Sequence, residues 1–266
     1  MIQNTAKKIY IALIFIFLYA PIVTLMVLSF NASKTRAKWG GFTLQWYQNL
    51  FKNDAIMQAL WNTLSIALLS ALISTIIGTI ACIAMQGMKR RNRTILMGIC
   101  NIPMLNADIV TGISLMLLFI SLGVHFGFLT ILLAHITFNI PYVILSVAPK
   151  LTQLDNSMYE AALDLGAKPL YAFRKVVLPE LMPGIINGLL IAFTLSIDDF
   201  VISFFTTGNG VSNLSIYVYS MAKRLNPKIN ALSTVMFLIV ILLLAIINKR
   251  SSKDKSSSNI LTEVEG

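Results

Sequence analysis

The sequence predicts an all-α polytopic membrane protein with six transmembrane helices. Of its 266 residues, 56% are hydrophobic and only 12% are charged, whereas soluble domains carry about 25% charged residues. The apolar residues are gathered into stretches close to the roughly 20 residues that a spanning helix needs. These stretches cover residues 9–30, 59–85, 95–122, 128–148, 184–205 and 229–247.

The positions of the basic residues predict how these spans are oriented. The formal net charge is +10, and the Lys and Arg residues lie in short clusters between the apolar stretches. With the N-terminus inside, the inner segments hold 14 basic residues and the outer segments hold 7, as the positive-inside rule expects. Both termini are therefore predicted to be cytoplasmic, with residues 1–250 forming the membrane domain and the polar residues 251–266 a disordered tail. The charge orients the chain in the lipid bilayer and does not indicate nucleic-acid binding.

The longest predicted inner loop, residues 149–183, begins with a short helix. Ser157 and Glu160 have the spacing of a capping box, in which each side chain satisfies a free backbone N–H at a helix start. Gly166 suits the left-handed position that follows many helix ends. We therefore expect a helix between Ser157 and Gly166, outside the bilayer.

A second short helix is predicted after it. Pro169 suits the first turn of a helix, because its missing N–H has no partner there in any case. Pro179 and Pro183 are expected to prevent this helix from running on into the next span.

The residues of the first helix and of the segment after it match a known sequence pattern. Ala161 and Ala162 leave one side small enough for another protein to approach closely, although an amphipathic helix lying on the membrane would look similar. Glu160-Ala161-Ala162, Gly166 and Val176-Val177-Leu178-Pro179 follow the pattern EAA-x3-G-x9-I-x-L-P, with Val176 in place of Ile. In these residues the sequence resembles the permeases of binding-protein-dependent ABC importers.

This resemblance implies a type I ABC importer permease fold and a set of partners. The loop is expected to dock, as a coupling helix, on a cytoplasmic ATPase. Two ATP-binding subunits, a second related permease and a periplasmic or extracellular binding protein are implied, in the inner membrane of a bacterium. Within the family the chain looks most like the permeases for spermidine and putrescine. The expected coupling residues are Ser157, Glu160, Ala161, Ala162, Gly166, Leu178 and Pro179.

Three carboxylates within apolar stretches predict a path for a cation. An ionised side chain in a span is costly and normally faces a cavity or a partner. Asp108, Asp198 and Asp199 have no Lys or Arg within the spans as a counter-ion, so we expect them to attract a polycation and repel anions. Ser196 lies beside them as a hydroxyl acceptor. The alternative is that they hydrogen-bond to polar neighbours or pair with a second subunit.

Two other residues have a structural and a functional interpretation. Trp46, in the first outer loop, is either an interface aromatic residue or a cation–π contact for an entering ammonium group. His135, within the fourth span, is either a buried histidine with satisfied hydrogen bonds or a proton relay.

The function predicted from the sequence is that of a transport subunit and not of an enzyme. No G-x4-G-K-[ST] motif and no metal or cofactor motif occurs, so ATP hydrolysis is assigned to a partner and no cofactor is expected. The alternatives are a secondary cation transporter or channel, an ABC permease for a different substrate, and a non-transporting membrane scaffold.

Overall fold

The computed structural model describes residues 2–33, 38–208, 210–222, 228–238 and 241. Within these residues the regular structure is helical, apart from one isolated antiparallel bridge between Asn31 and Phe42. The predicted all-α class is therefore confirmed for the described residues. The helices are α1 Ile2–Leu28, α2 Gln45–Phe51, α3 Asp54–Gln86, α4 Arg90–Leu105, α5 Asp108–Ser121, α6 Phe128–Gln153, α7 Asn156–Asp164, α8 Pro169–Ala172, α9 Leu178–Asp198, α10 Val201–Thr206, α11 Leu214–Ala222 and α12 Lys228–Leu238.

The described residues contain four straight segments that are long and apolar enough to cross a membrane. A fifth crossing results if α4 and α5, which meet at a bend of 105°, count as one broken span. The predicted sixth span, 229–247, begins in α12 and is described only in part, and the predicted tail, 251–266, lies outside the described residues. The four straight segments are Lys7–Leu28, Asp54–Gln86, Phe128–Gln153 and Pro169–Asp198.

The third predicted span, 95–122, is wrong as a single straight helix. Asn106 and Ala107 have extended backbones, with ψ of 150° and 138°, so α4 ends before them and α5 begins after them. Pro103 lies inside α4 and does not end it. The break falls after it because Asn favours non-helical positions and the carboxylate of Asp108 is favourable in the first turn of a new helix.

The predicted stop at Pro179 and Pro183 is also wrong. Helix α8, a π-helical turn at Phe173–Val177 and α9 form one continuous helical segment. In a regular α-helix the ring of Pro179 would clash with the carbonyl of Lys175. Lys175 lies in the π-helical turn, which is wider than an α-helical turn. The fifth span therefore starts well before the predicted 184–205 and ends with α9.

The chain divides into two compact units, of which the first is Met1–Met57 with Tyr217–Gly266. Within it the apolar side chains of α1 are largely exposed, as expected for a helix whose surroundings are lipid. Helix α2 is partly buried through Trp46 and Leu50.

The second unit, Gln58–Ile216, has its core between α3, α6 and α9. Helix α9 approaches α6 closely at Gly188, where an added Cβ would lie 3.3 Å from Val143 Cα. The side chain of Val143 also meets Gly78 of α3. Close backbone contact at small residues is typical of helix pairs in membranes, and it fixes the positions of the polar side chains described next.

Candidate functional site

The first candidate site surrounds the break between α9 and α10. Helix α9 ends at Asp198, and Asp199 has an extended backbone, with φ −63° and ψ 125°. The Asp199 carboxylate then accepts hydrogen bonds from the first free N–H groups of α10, those of Ile202 at 3.2 Å and Ser203 at 2.8 Å. Asp199 lies one residue before the N-cap Phe200, and its carboxylate satisfies two N–H groups of the first turn, where an anion complements the helix N-terminus.

The ring of His135, on α6, lies against this break. Its Nδ1 is 2.5 Å from the Ser196 hydroxyl of α9, and its Nε2 is 2.8 Å from the Ser203 hydroxyl of α10. The same Nε2 is 3.3 Å from Asp199 Oδ2, and the two side chains are only 1% and 8% exposed. The Asp199 carboxylate therefore has polar neighbours within the chain, as the alternative interpretation predicts, and His135 is one of them. Both nitrogens of His135 have partners, as its structural interpretation predicts.

The contacts continue from Ser196 to α3. The Ser196 hydroxyl is 3.1 Å from that of Ser70, and Asn139 Nδ2 donates to Ser70 Oγ at 3.4 Å. Asn139 Oδ1 is buried and has no hydrogen-bond partner within the described residues. We call this group of contacts the His135 network; its members are Ser70, His135, Asn139, Ser196, Asp199 and Ser203.

The predicted path residues differ in their exposure. Asp108, at the start of α5, and Asp198, at the end of α9, are exposed. Ser196 is buried, like the carboxylate of Asp199. The structure thus brings Asp199 and Ser196 together around His135, whereas Asp108 and Asp198 are the exposed members of the three predicted path carboxylates.

Trp46 is buried within the first unit. Its indole N–H donates to the carbonyl of Asn31 at 2.7 Å, and the neighbouring Tyr47 hydroxyl is 2.6 Å from Ser29 Oγ. Trp39 is exposed. The predicted cation–π role of Trp46 remains a prediction.

The second candidate site is the loop that contains α7. The predicted capping box is wrong, because Asp155 is the N-cap and accepts the Ser157 N–H at 2.9 Å, which places Ser157 inside the helix. This hydrogen bond from the Ser157 backbone, with a further one from its side chain, lowers the pKa of the Asp155 carboxyl. Asp at the N-cap is as favourable as Ser, and the sequence offers both.

The end of α7 matches the expectation for Gly166. Its φ is +85°, the left-handed conformation that Gly adopts without cost. Its N–H donates to the Leu163 carbonyl at 2.9 Å, and the Ala167 N–H donates to that of Ala162 at 3.1 Å. This pair of hydrogen bonds is a Schellman motif, and it turns the chain from α7 toward α8.

An exposed apolar surface surrounds this turn. Leu165 is 89% exposed and Leu170 is 79% exposed, which is unusual for side chains that favour burial. Glu160 and Ala161 are also exposed, whereas Ala162 is half-buried. We call the exposed apolar side chains the loop patch; they are Met158, Leu165, Leu170 and Tyr171.

Comparison with known proteins identifies the family. The family model of the binding-protein-dependent transport system inner membrane component matches residues 74–250. The spermidine/putrescine transport system permease protein PotC of Escherichia coli (strain K12) is 38% identical over 260 residues, covering 97% of this chain and 98% of PotC. The putrescine transport system permease protein PotI of the same strain is 40% identical over 242 residues, covering 88% of this chain and 86% of PotI.

Solved structures share the fold. A chain of a bacterial ABC transporter involved in the import of the acidic polysaccharide alginate superposes with a TM-score of 0.75 at 16% identity, covering 93% of this chain and 96% of that chain. A chain of the MetNI methionine ABC transporter superposes with a TM-score of 0.60 at 20% identity, covering 79% and 97%. With its candidate spans and the family match over 74–250, the chain belongs to the inner membrane components of binding-protein-dependent transport systems, as a multi-pass transport subunit and not an enzyme.

Proposed function

We propose that this chain is one of two permease subunits of an ATP-driven importer of polyamines such as spermidine and putrescine. The observation that carries the proposal is the position of two exposed carboxylates, Asp108 just after the bend between α4 and α5 and Asp198 at the end of the candidate span Pro169–Asp198. Helix breaks at membrane depth are tolerated where the backbone lines a cavity or is buried in protein. Carboxylates at such breaks suit a cationic cargo.

The charge of these side chains favours amines over other small solutes. A polyamine loses water as it enters the membrane, and a carboxylate compensates because opposite charges attract more strongly where the effective dielectric constant is low. A sulfate, phosphate or carboxylate cargo would be repelled by the same groups. The fold does not decide this question, since the alginate transporter with the same fold imports an acidic polysaccharide.

The proposal for the translocation path includes the buried residues behind these carboxylates. Ser196 and the Asp199 carboxylate are buried next to Asp198 in the second unit. Trp46, in the first unit, is separately proposed to make a cation–π contact with the entering ammonium group. Asp108 reaches the same region through α5, because Gly112 of that helix packs against Ile202 of α10.

We also propose six spans within residues 1–250, with both termini in the cytoplasm. The cytoplasmic side then carries α7 and the loop patch, which supply an apolar docking surface for an ATPase. A large exposed apolar surface on a protein normally marks an interaction site. Two ATPase subunits, a second related permease and an external polyamine-binding protein complete the assembly.

The test is uptake by the assembled transporter in proteoliposomes, with labelled spermidine and putrescine and with ATP inside. Asp108→Asn and Asp198→Asn keep the side-chain shape and remove the charge, so both should raise the KM for uptake. Asp54→Asn is the matched control, because Asp54 is an exposed aspartate in the first turn of α3.

Two outcomes would contradict the proposal. Uptake that needs an ion gradient and not ATP would indicate a secondary transporter. Unchanged KM values in both path variants, at equal membrane abundance, would remove the carboxylates from the path.

A further inference from the structure

We infer that Asp199 is a positioning residue, which acts through His135 to hold the α9–α10 break so that Asp198 faces the cargo. This inference deepens the proposed function and rests on it. It assigns different roles to two adjacent carboxylates that the sequence does not distinguish, and it gives the buried histidine a role in transport.

The first step is the geometry of His135. Its two ring nitrogens reach opposite sides of the break, since Nδ1 meets Ser196 of α9 and Nε2 meets Ser203 of α10. A planar ring with two polar atoms fixes the separation of the two groups it bonds. The end of α9 and the start of α10 are therefore held at a set distance on the surface of α6.

The second step is the environment of the Asp199 carboxylate. Oδ1 accepts the Ile202 N–H, and Oδ2 accepts the Ser203 N–H and lies 3.3 Å from His135 Nε2. The side chain is 8% exposed, so these contacts leave it little room to bind a cargo. A buried carboxylate requires such partners, because an unpaired charge away from water is costly.

The third step is the effect on Asp198. The extended backbone of Asp199 turns the chain out of α9 immediately after Asp198, and Asp198 is exposed. If α9 continued without a break, Val201 and Ile202 would follow three and four residues on and lie on the same helix face as Asp198. The exposure of Asp198 therefore depends on the break that His135 and Asp199 hold.

A second anchor holds the other end of α10. The Thr130 hydroxyl, at the start of α6, donates to the Thr206 carbonyl at 2.8 Å. Helix α10 is thus fixed on α6 at both ends, and loss of the His135 contact would release only the end that adjoins Asp198. Substitutions of His135 or Asp199 should consequently affect the position of the Asp198 carboxylate and leave the far end of α10 in place.

The test is a double-mutant cycle in the assembled transporter, with His135→Gln, Asp199→Asn and the two combined. Each single variant should raise the KM for spermidine about tenfold, and the double variant should be no worse than the more affected single variant, since contacting residues are not additive. A defect limited to folding or abundance would lower the maximal rate and leave KM unchanged. His125→Gln is the matched control, because His125 is exposed.

The inference is wrong if the two losses multiply, because Asp199 would then act on the cargo independently of His135. It is also wrong if only the maximal rate falls. Should His135→Gln not insert, Ser203→Ala takes its place, since it removes one contact of the ring and leaves the backbone cap. The same double-mutant cycle can be measured without cargo, as the change in the thermal unfolding midpoint of the purified transporter. Non-additive changes, together with no polyamine uptake by the parent protein, would refute the proposed cargo and support the contact between His135 and Asp199. Additive changes would refute that contact.

Discussion

Replacement of Gly166 by Val should weaken the coupling of ATP hydrolysis to transport while the protein still inserts. The φ of Gly166 is +85° and an added Cβ would meet nothing within 4 Å, so the cost is backbone strain and not a clash. A left-handed backbone costs a residue with a Cβ roughly 1–2 kcal/mol. A cost of that size changes an equilibrium by a factor of about 5–30. The Schellman turn that presents the loop patch should therefore be populated less, by a factor in that range.

The assay is ATP-driven uptake together with ATPase activity in the same proteoliposomes. Gly166→Val should lower uptake per ATP hydrolysed, and Gly166→Asn should retain more of it, because Asn tolerates the left-handed conformation. Hydrogen exchange at Ala167, whose N–H closes the Schellman turn, reports the turn itself. Normal coupling in a Val variant with faster exchange at Ala167 would refute the link between this turn and docking.

Three further predictions concern the loop and the topology. Ala162→Trp should reduce ATPase binding and uptake by obstructing the approach to α7, and normal uptake by a properly inserted variant would contradict docking through this face. Single cysteines at positions 123 and 168, in a background without the two native cysteines, should be labelled by an impermeant reagent in intact cells only at 123. Labelling of position 168 would overturn the proposed orientation. The lowered pKa of Asp155 means that its cap stabilises α7 fully above the ordinary aspartate pKa and is lost as the pH falls through the lowered value. Hydrogen exchange at Ser157 should accordingly show extra acid sensitivity that Asp155→Asn, an uncharged cap, removes.

The sequence predicts the position of helices better than their breaks. The start of α6 at Phe128 is as predicted, because the apolar run begins there after Gly127. The break after Leu105 was not predicted, because Asn106 and Asp108 are single polar residues inside a longer apolar stretch and Pro103 lies within the helix before it. Prolines are tolerated in apolar helices when neighbouring groups satisfy the backbone, and a single sequence does not reveal those neighbours.

The candidate site shows the same limit. The sequence identifies Asp199 and His135 as unusual residues in apolar stretches, but their pairing depends on the packing of α6 against α9 and α10. The loop patch was missed for a different reason. The sequence shows the small face of Ala161 and Ala162 and the left-handed Gly166, whereas the exposure of Leu165 follows only from the way the chain turns after α7.

The bend between α4 and α5 has an electrical consequence. In a bilayer, the helix ends that meet there leave carbonyl and N–H groups that hydrocarbon does not satisfy, so water or another subunit must reach them. Where water reaches them, it shortens the dry part of the barrier, and the transmembrane voltage then falls across the remainder. Each positive charge that crosses the whole potential gains ~2.3 kcal/mol per 100 mV in the direction of the negative side. A cargo with two or three ammonium groups would thus be drawn toward the cytoplasm by the membrane potential, in addition to the drive supplied by ATP.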